Sequence, residues 1–120
     1  MWQTSRELCN TVYSLTLKGS FAQDYKLRDQ INGSSVSVMD NIAEGFERDG
    51  KAEFRQFLSI AKGSSGEVRS QLYRALDRNH ISQSEFDASF SLAETTSKKL
   101  SSLMGYLKKS VLTGTKYKAT

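Results

Sequence analysis

Arg55, Lys62 and Arg69 recur at every seventh position of the chain. On an α-helix that spacing aligns them in one stripe, with successive charges about 10 Å apart. A row of cations at that pitch can follow a phosphate backbone, and Lys51 stands close beside it. The stripe also falls about a quarter turn from the apolar face of its own segment. It can therefore equally flank a core and pair with acids on a neighbouring helix, at no more than about 1 kcal/mol per pair. Lys108 and Lys109 extend the basic set, since from Lys98 onward the chain has six lysines and no acid. Residues 21–50 hold three bases against six acids, so the net charge of +4 is polarised along the chain. Such a basic end suits a phosphate backbone or an acidic partner surface, or serves only as a solvated tail. Arg74 and Arg78 lie on another side of the helix and read as solubilising.

The remaining reactive side chains do not converge. Asn41 and Glu44 sit one turn apart. Asn41 falls on an inner helical stripe, where a buried amide must find a partner, and Ser34, Ser64 and Ser65 are in reach across helices. Glu44 reads as a capping residue or as the partner of a base such as Lys62. A carboxylate metal centre would need a facing histidine, and the chain has only His80, in a turn beside Arg78 and Asn79. His80 reads as an exposed loop residue and Cys9, the only cysteine, as a small core residue. Gly63-Ser64-Ser65-Gly66 lacks the Gly-Lys-Ser of a phosphate cradle, and no hydrolase elbow or dinucleotide fingerprint occurs. No catalytic residue, metal ligand set or cofactor is indicated, so the reading is non-enzymatic. Base-specific recognition has no support either, because no helix-turn-helix, zinc finger or RNP signature is present.

These residues must be positioned by helices. The chain has 120 residues and no proline, which favours one domain built from long uninterrupted helices. A single cysteine fits a reducing cytoplasm, and no apolar run approaches the roughly 18 residues that span a bilayer. A soluble cytoplasmic protein without membrane contact is expected. Apolar periodicity predicts helices over about 4–18, 24–48, 51–79 and 83–112, the last opened by a Ser82–Glu85 capping box. Short connections make neighbours antiparallel, so residues 1–113 should form an all-α, up-down-up-down four-helix bundle. Residues 114–120 have no periodicity and are expected to fray.

Two features of that bundle bear on assembly. Gly45 and Gly63 lie inside helices at a cost of about 1 kcal/mol each, which close approach between backbones would offset. On the second helix, Val36, Met39 and Ala43 point away from the Leu27–Ile42 stripe, with Phe46 between the two. They imply an unusually wide buried face or an oligomer interface, of which the interface is the preferred reading.

The block Ser37-Val38-Met39-Asp40-Asn41-Ile42-Ala43-Glu44-Gly45, followed by Ala61-Lys62-Gly63-Ser64, carries a resemblance. Trp2, Leu8, Val12-Tyr13, Leu15-Thr16 and Phe21 belong to the same pattern, as do Leu27, Gln30-Ile31, Glu53-Phe54, Phe57-Leu58, Glu67 and Gln71-Leu72. Over nearly its whole length the chain resembles the bacterial four-helix-bundle family encoded in intervening sequences of 23S rRNA genes, also labelled S23. The resemblance implies a homo-oligomer, most like a ring of five subunits, with no established enzymatic activity. Distant relatives serve as accessory proteins beside reverse transcriptases in diversity-generating retroelements. RNA or DNA, and a reverse transcriptase or other protein, are therefore the implied partners. Asn32 and Gly33 replace a basic pair often found in the family, which weakens any phosphate contact from the second helix. Ala22 stands where a proline is usual. The expectation is sequence-tolerant nucleic-acid binding through Arg55, Lys62, Arg69, Lys108 and Lys109. The alternative is a protein–protein scaffold acting through the outer apolar strip.

Overall fold

The computed structural model describes the backbone of residues 1–119 and the side chains of residues 1–110. Five helices follow one another: α1 (Trp2–Thr16), α2 (Gly19–Gln23), α3 (Tyr25–Phe46), α4 (Lys51–Asp77) and α5 (Gln83–Ala119). No strand occurs among the described residues. The tail expected over 114–120 falls where side chains lie outside the described residues, and Thr120 lies outside them altogether.

α2 is the element that periodicity does not predict. Gly19 reads as a stop, but it adopts φ +52° and starts a short new helical turn. A left-handed φ is cheap only without a Cβ, which is why glycine stands there. α2 seats Phe21 fully buried at the end of the molecule, and Asp24 then caps α3 by accepting a hydrogen bond from the Leu27 N–H at 3.4 Å. α4 ends in a Schellman turn: His80 N–H bonds the Ala75 carbonyl at 2.9 Å and Asn79 N–H bonds that of Leu76 at 3.0 Å. Asn79 takes the left-handed position of that turn, with φ 58°. α5 opens with the expected capping box, Glu85 N–H to Ser82 Oγ at 3.1 Å and Ser82 N–H to Glu85 Oε1 at 2.9 Å.

The four long helices pack in sequence around a shared interior, α3 on α4, α4 on α5, and α1 against both α3 and α5. Partners run in opposite directions. Gln30 meets Arg74 while Ser37 meets Ser64 across α3 and α4, and Ser65 meets Ser97 while Lys51 meets Ser110 across α4 and α5. The core falls into two apolar clusters. One holds Leu8, Ile31, Val68 and Ala93, and the other holds Val38, Ala61 and Leu100. Between them each long helix contributes buried hydroxyls at one level: Ser5, then Ser34 and Ser35, then Ser64 and Ser65, then Thr96 and Ser97. Their partners are other hydroxyls, nearby carbonyls and, for Ser34, the Glu67 carboxylate, which accepts at 3.4 Å. Ser65 Oγ donates to the Ala93 carbonyl at 2.9 Å, Ser97 Oγ donates to Ser65 Oγ at 2.9 Å, and Ser37 and Ser64 hydroxyls lie 2.8 Å apart.

Close backbone approach holds for Gly45 alone of the two glycines. A Cβ there would stand 2.8 Å from Phe54 Cδ1 and 3.3 Å from Phe57 Cβ, so α3 and α4 touch through the missing side chain. Gly63 is exposed, and an added Cβ would meet nothing within 4 Å. The serines beside it, not the glycine, face the neighbouring helices.

Candidate nucleic-acid interface

The stripe on α4 does not stand free in solvent. Lys62 and Arg69 line a cleft of about 630 Å³ whose other wall is α5, contributed by Glu94, Ser97, Lys98, Ser101 and Ser102. One turn and more toward the start of α4, Arg55 lines a second cleft on the same seam with Gln56, Ser59 and Met104. Arg55 and Arg69 are half-buried and Lys62 is exposed. On α5, Lys109 follows Lys98 by eleven residues and so falls within about 20° of its side of the helix, while Lys108 falls about 80° away. Lys108 and Lys109 are both exposed. Lys51, at the far end of the seam, donates to Ser110 Oγ at 2.5 Å.

Among the described residues no carboxylate lies within 4 Å of Arg55, Lys62, Arg69 or Lys98. Glu94 shares the cleft without pairing. Arg69 Nε is buried with no acceptor. The expected alternative, neutralisation by acids of a neighbouring helix, is therefore not what these side chains do.

The Asn41–Gly45 block is structural, with partners that differ from expectation. Asn41 Nδ2 donates to the Ser37 carbonyl at 2.8 Å and to Ser37 Oγ at 3.0 Å, both on its own helix. It reaches Ser64 only through Ser37, because a half-buried amide one turn along finds its nearest acceptors on the same helix. Glu44 pairs with Arg48, not Lys62. Arg48 also approaches Glu53 at 3.6 Å and lies over the Phe57 ring, so this group ties the α3–α4 turn. The outer strip is open: Val36 is 48% and Phe46 57% exposed, Ala43 is exposed, and Met39 is half-buried.

A second cluster escaped sequence reading. His80 is half-buried, its ring stacked on Phe21 at 5.2 Å, with Nε2 2.9 Å from Asp24 Oδ2 and Nδ1 2.8 Å from Ser20 Oγ. It is no exposed loop residue. Arg78 bonds the same Asp24 oxygen at 2.8 Å, and Arg74 donates to Gln30 Oε1 at 3.2 Å, so neither arginine merely solubilises. Together His80 and Arg78 hold the Asp24 carboxyl down at about 2, well under the usual carboxylate range. Ser20, His80 and Asp24 align in the manner of a nucleophile, base and orienting acid. The carboxylate oxygen that would steady an imidazolium is shared with a guanidinium, however, and the group works as a clamp between the α2–α3 elbow and the α4–α5 turn. Its partners are separated by 54 to 60 positions, a distance that no local pattern bridges. Cys9, expected in the core, is half-buried at the edge of the α1–α3 groove. Burial there raises its thiol pKa, which leaves it a poor nucleophile. No cluster of metal ligands and no helix long and apolar enough to cross a membrane is found among the described residues.

Fold and surface thus define an all-helical protein whose exposed chemistry is a basic inter-helical seam. The chain belongs to the 23S rRNA-intervening sequence protein family, whose pattern matches residues 1–102. Its fold is similar to the crystal structure of a protein of unknown function from the S23 ribosomal protein family of Bacteroides thetaiotaomicron, at a TM-score of 0.79 and 20% identity. That match covers 86% of this chain and 96% of the other. No curated protein matches the chain. Neither description names a catalytic activity.

Proposed function

We propose that this protein is a non-enzymatic, homo-oligomeric bundle of four long helices in up-down-up-down order, with α2 an elaboration of one connection. It binds RNA or DNA through the α4–α5 seam without reading sequence. The observation that carries this reading is the convergence of Arg55, Lys62, Arg69 and Lys98 on one seam with no carboxylate paired to any of them. Lys108 and Lys109 continue the positive surface, and copies arranged in a ring, five by family likeness, would multiply its field. Val36, Met39, Ala43 and Phe46 supply the contact between copies. A salt titration of RNA and DNA binding tests the proposal. Affinity should fall steeply as salt rises, because each neutralised phosphate releases counterions. Absence of binding at low salt would overturn it.

The open apolar strip favours a second reading, a scaffold for another protein, such as a reverse transcriptase. Cys9, Tyr13 and Val36 line an adjoining α1–α3 groove that is mostly apolar. A defined protein partner retained after nuclease digestion, with no nucleic-acid binding at low salt, would favour this reading.

A further inference from the structure

The seam ends on an aromatic step that its cations do not explain. Tyr73 lies one turn beyond Arg69 on α4 and so shares the face of the basic stripe. Its ring stands 4.9 Å from that of Phe86 and 5.5 Å from that of Phe90, which are themselves stacked at 5.1 Å. Phe90 in turn precedes Glu94 and Lys98 by one and two turns of α5, so the aromatic group continues the same cleft wall. Phe86 is buried and Phe90 half-buried, but Tyr73 remains 51% exposed. The two phenylalanines hold the tyrosine in place and leave much of its ring to solvent.

We infer that the seam and Tyr73 together form a site for single-stranded nucleic acid, with phosphates along Arg69, Lys62 and Arg55 and one base stacked on Tyr73. This rests on the nucleic-acid reading above and narrows it. Neighbouring helix axes pack about 8–10 Å apart, so the furrow between them suits a single extended backbone better than a whole duplex. In a duplex the bases already stack on one another, and a flanking tyrosine has no base face to meet. In a single strand a base can leave its neighbours without breaking a pair, and a cationic groove with an aromatic platform is the general means of holding one. Arg69 stands one turn from Tyr73 on α4, within reach of the phosphate next to a stacked base.

The test compares the full-length protein with Y73L, Y73W and R69Q, binding a short unstructured RNA, the DNA of the same sequence, and the duplex of each. Leucine keeps hydrocarbon over Phe86 and Phe90 while removing the π-face. Y73L should lose about tenfold in single-strand affinity with the slope against salt unchanged, since stacking and not charge is removed. Y73W should restore it, and R69Q should flatten the salt slope. Circular dichroism reports whether Y73L folds. Should it not, the Y73W variant alone decides: its added indole fluorescence must be quenched by the single strand beyond any change at Trp2 in the parent chain. Duplex binding as tight as single-strand binding, or an unchanged affinity in folded Y73L, overturns this inference while the nucleic-acid reading stands. No binding of any polynucleotide at low salt overturns both.

Discussion

Single residues divide into those whose neighbours lie a turn away and those whose neighbours lie half the chain away. Gly45 and Gly63 look alike in sequence, both interior and both beside serine or glutamate, yet only one sits against another helix. Gly45→Ala should destabilise the fold by about 1–3 kcal/mol, because Phe57 Cβ cannot move without the α4 backbone. Gly63→Ala should be neutral or stabilise by up to about 1 kcal/mol, since alanine is the better helix former and the space is open. Urea unfolding of the two variants checks both. Asp24 gives a pH prediction. Its folded pKa of about 2 lies below its ordinary 3.8, so its contribution is whole above the ordinary value and fades as pH falls toward about 2. Asp24→Asn should lessen the loss of stability over that window, followed as Tm against pH. Sequence could not flag His80 for this role. A lone histidine beside an arginine has no pattern, and its stacking partner Phe21 comes from an element that apolar spacing does not reveal.

Helices were legible where their own residues decide them. The inner stripes of α1, α3 and α4 came through the 3.6-residue period, and the capping box of α5 through a four-residue signature, because both are local. Ser82→Ala should therefore cost about 0.5–2 kcal/mol, read as a lowered Tm. The end of α4 depends on Asn79 standing left-handed; Asn79→Gly should hold or raise stability, and Asn79→Val should lower it through strain at φ 58°. α2 was not legible. Five residues hold too little of a helical period to register, and Gly19 reads as a stop whether or not the chain resumes. The α4 stripe was placed on the right face. That this face borders α5 as one wall of a cleft depends on how the helices associate, which a single helix's spacing does not contain.

For the molecule as a whole, the all-helical class and the long-helix order follow from the absence of proline and the short connections, whereas assembly rests on surface that one copy leaves uncovered. If Val36, Ala43 and Phe46 lie between copies, a Val36→Glu, Phe46→Glu double substitution should reduce the particle mass measured by light scattering. The helical circular dichroism should stay unchanged, because both side chains are about half exposed in the isolated chain. An unaltered mass would remove that strip from the contact. The belt of hydroxyls through the middle has a mechanical consequence as well. Were α5 to ratchet past α4 by a turn, the Ser65–Ser97 bond would break and each oxygen would be pressed against hydrocarbon, at about 1–3 kcal/mol for every group stranded. Axial slippage is thereby disfavoured, so the α4–α5 seam opens more readily by the rods swinging apart or rolling than by their sliding.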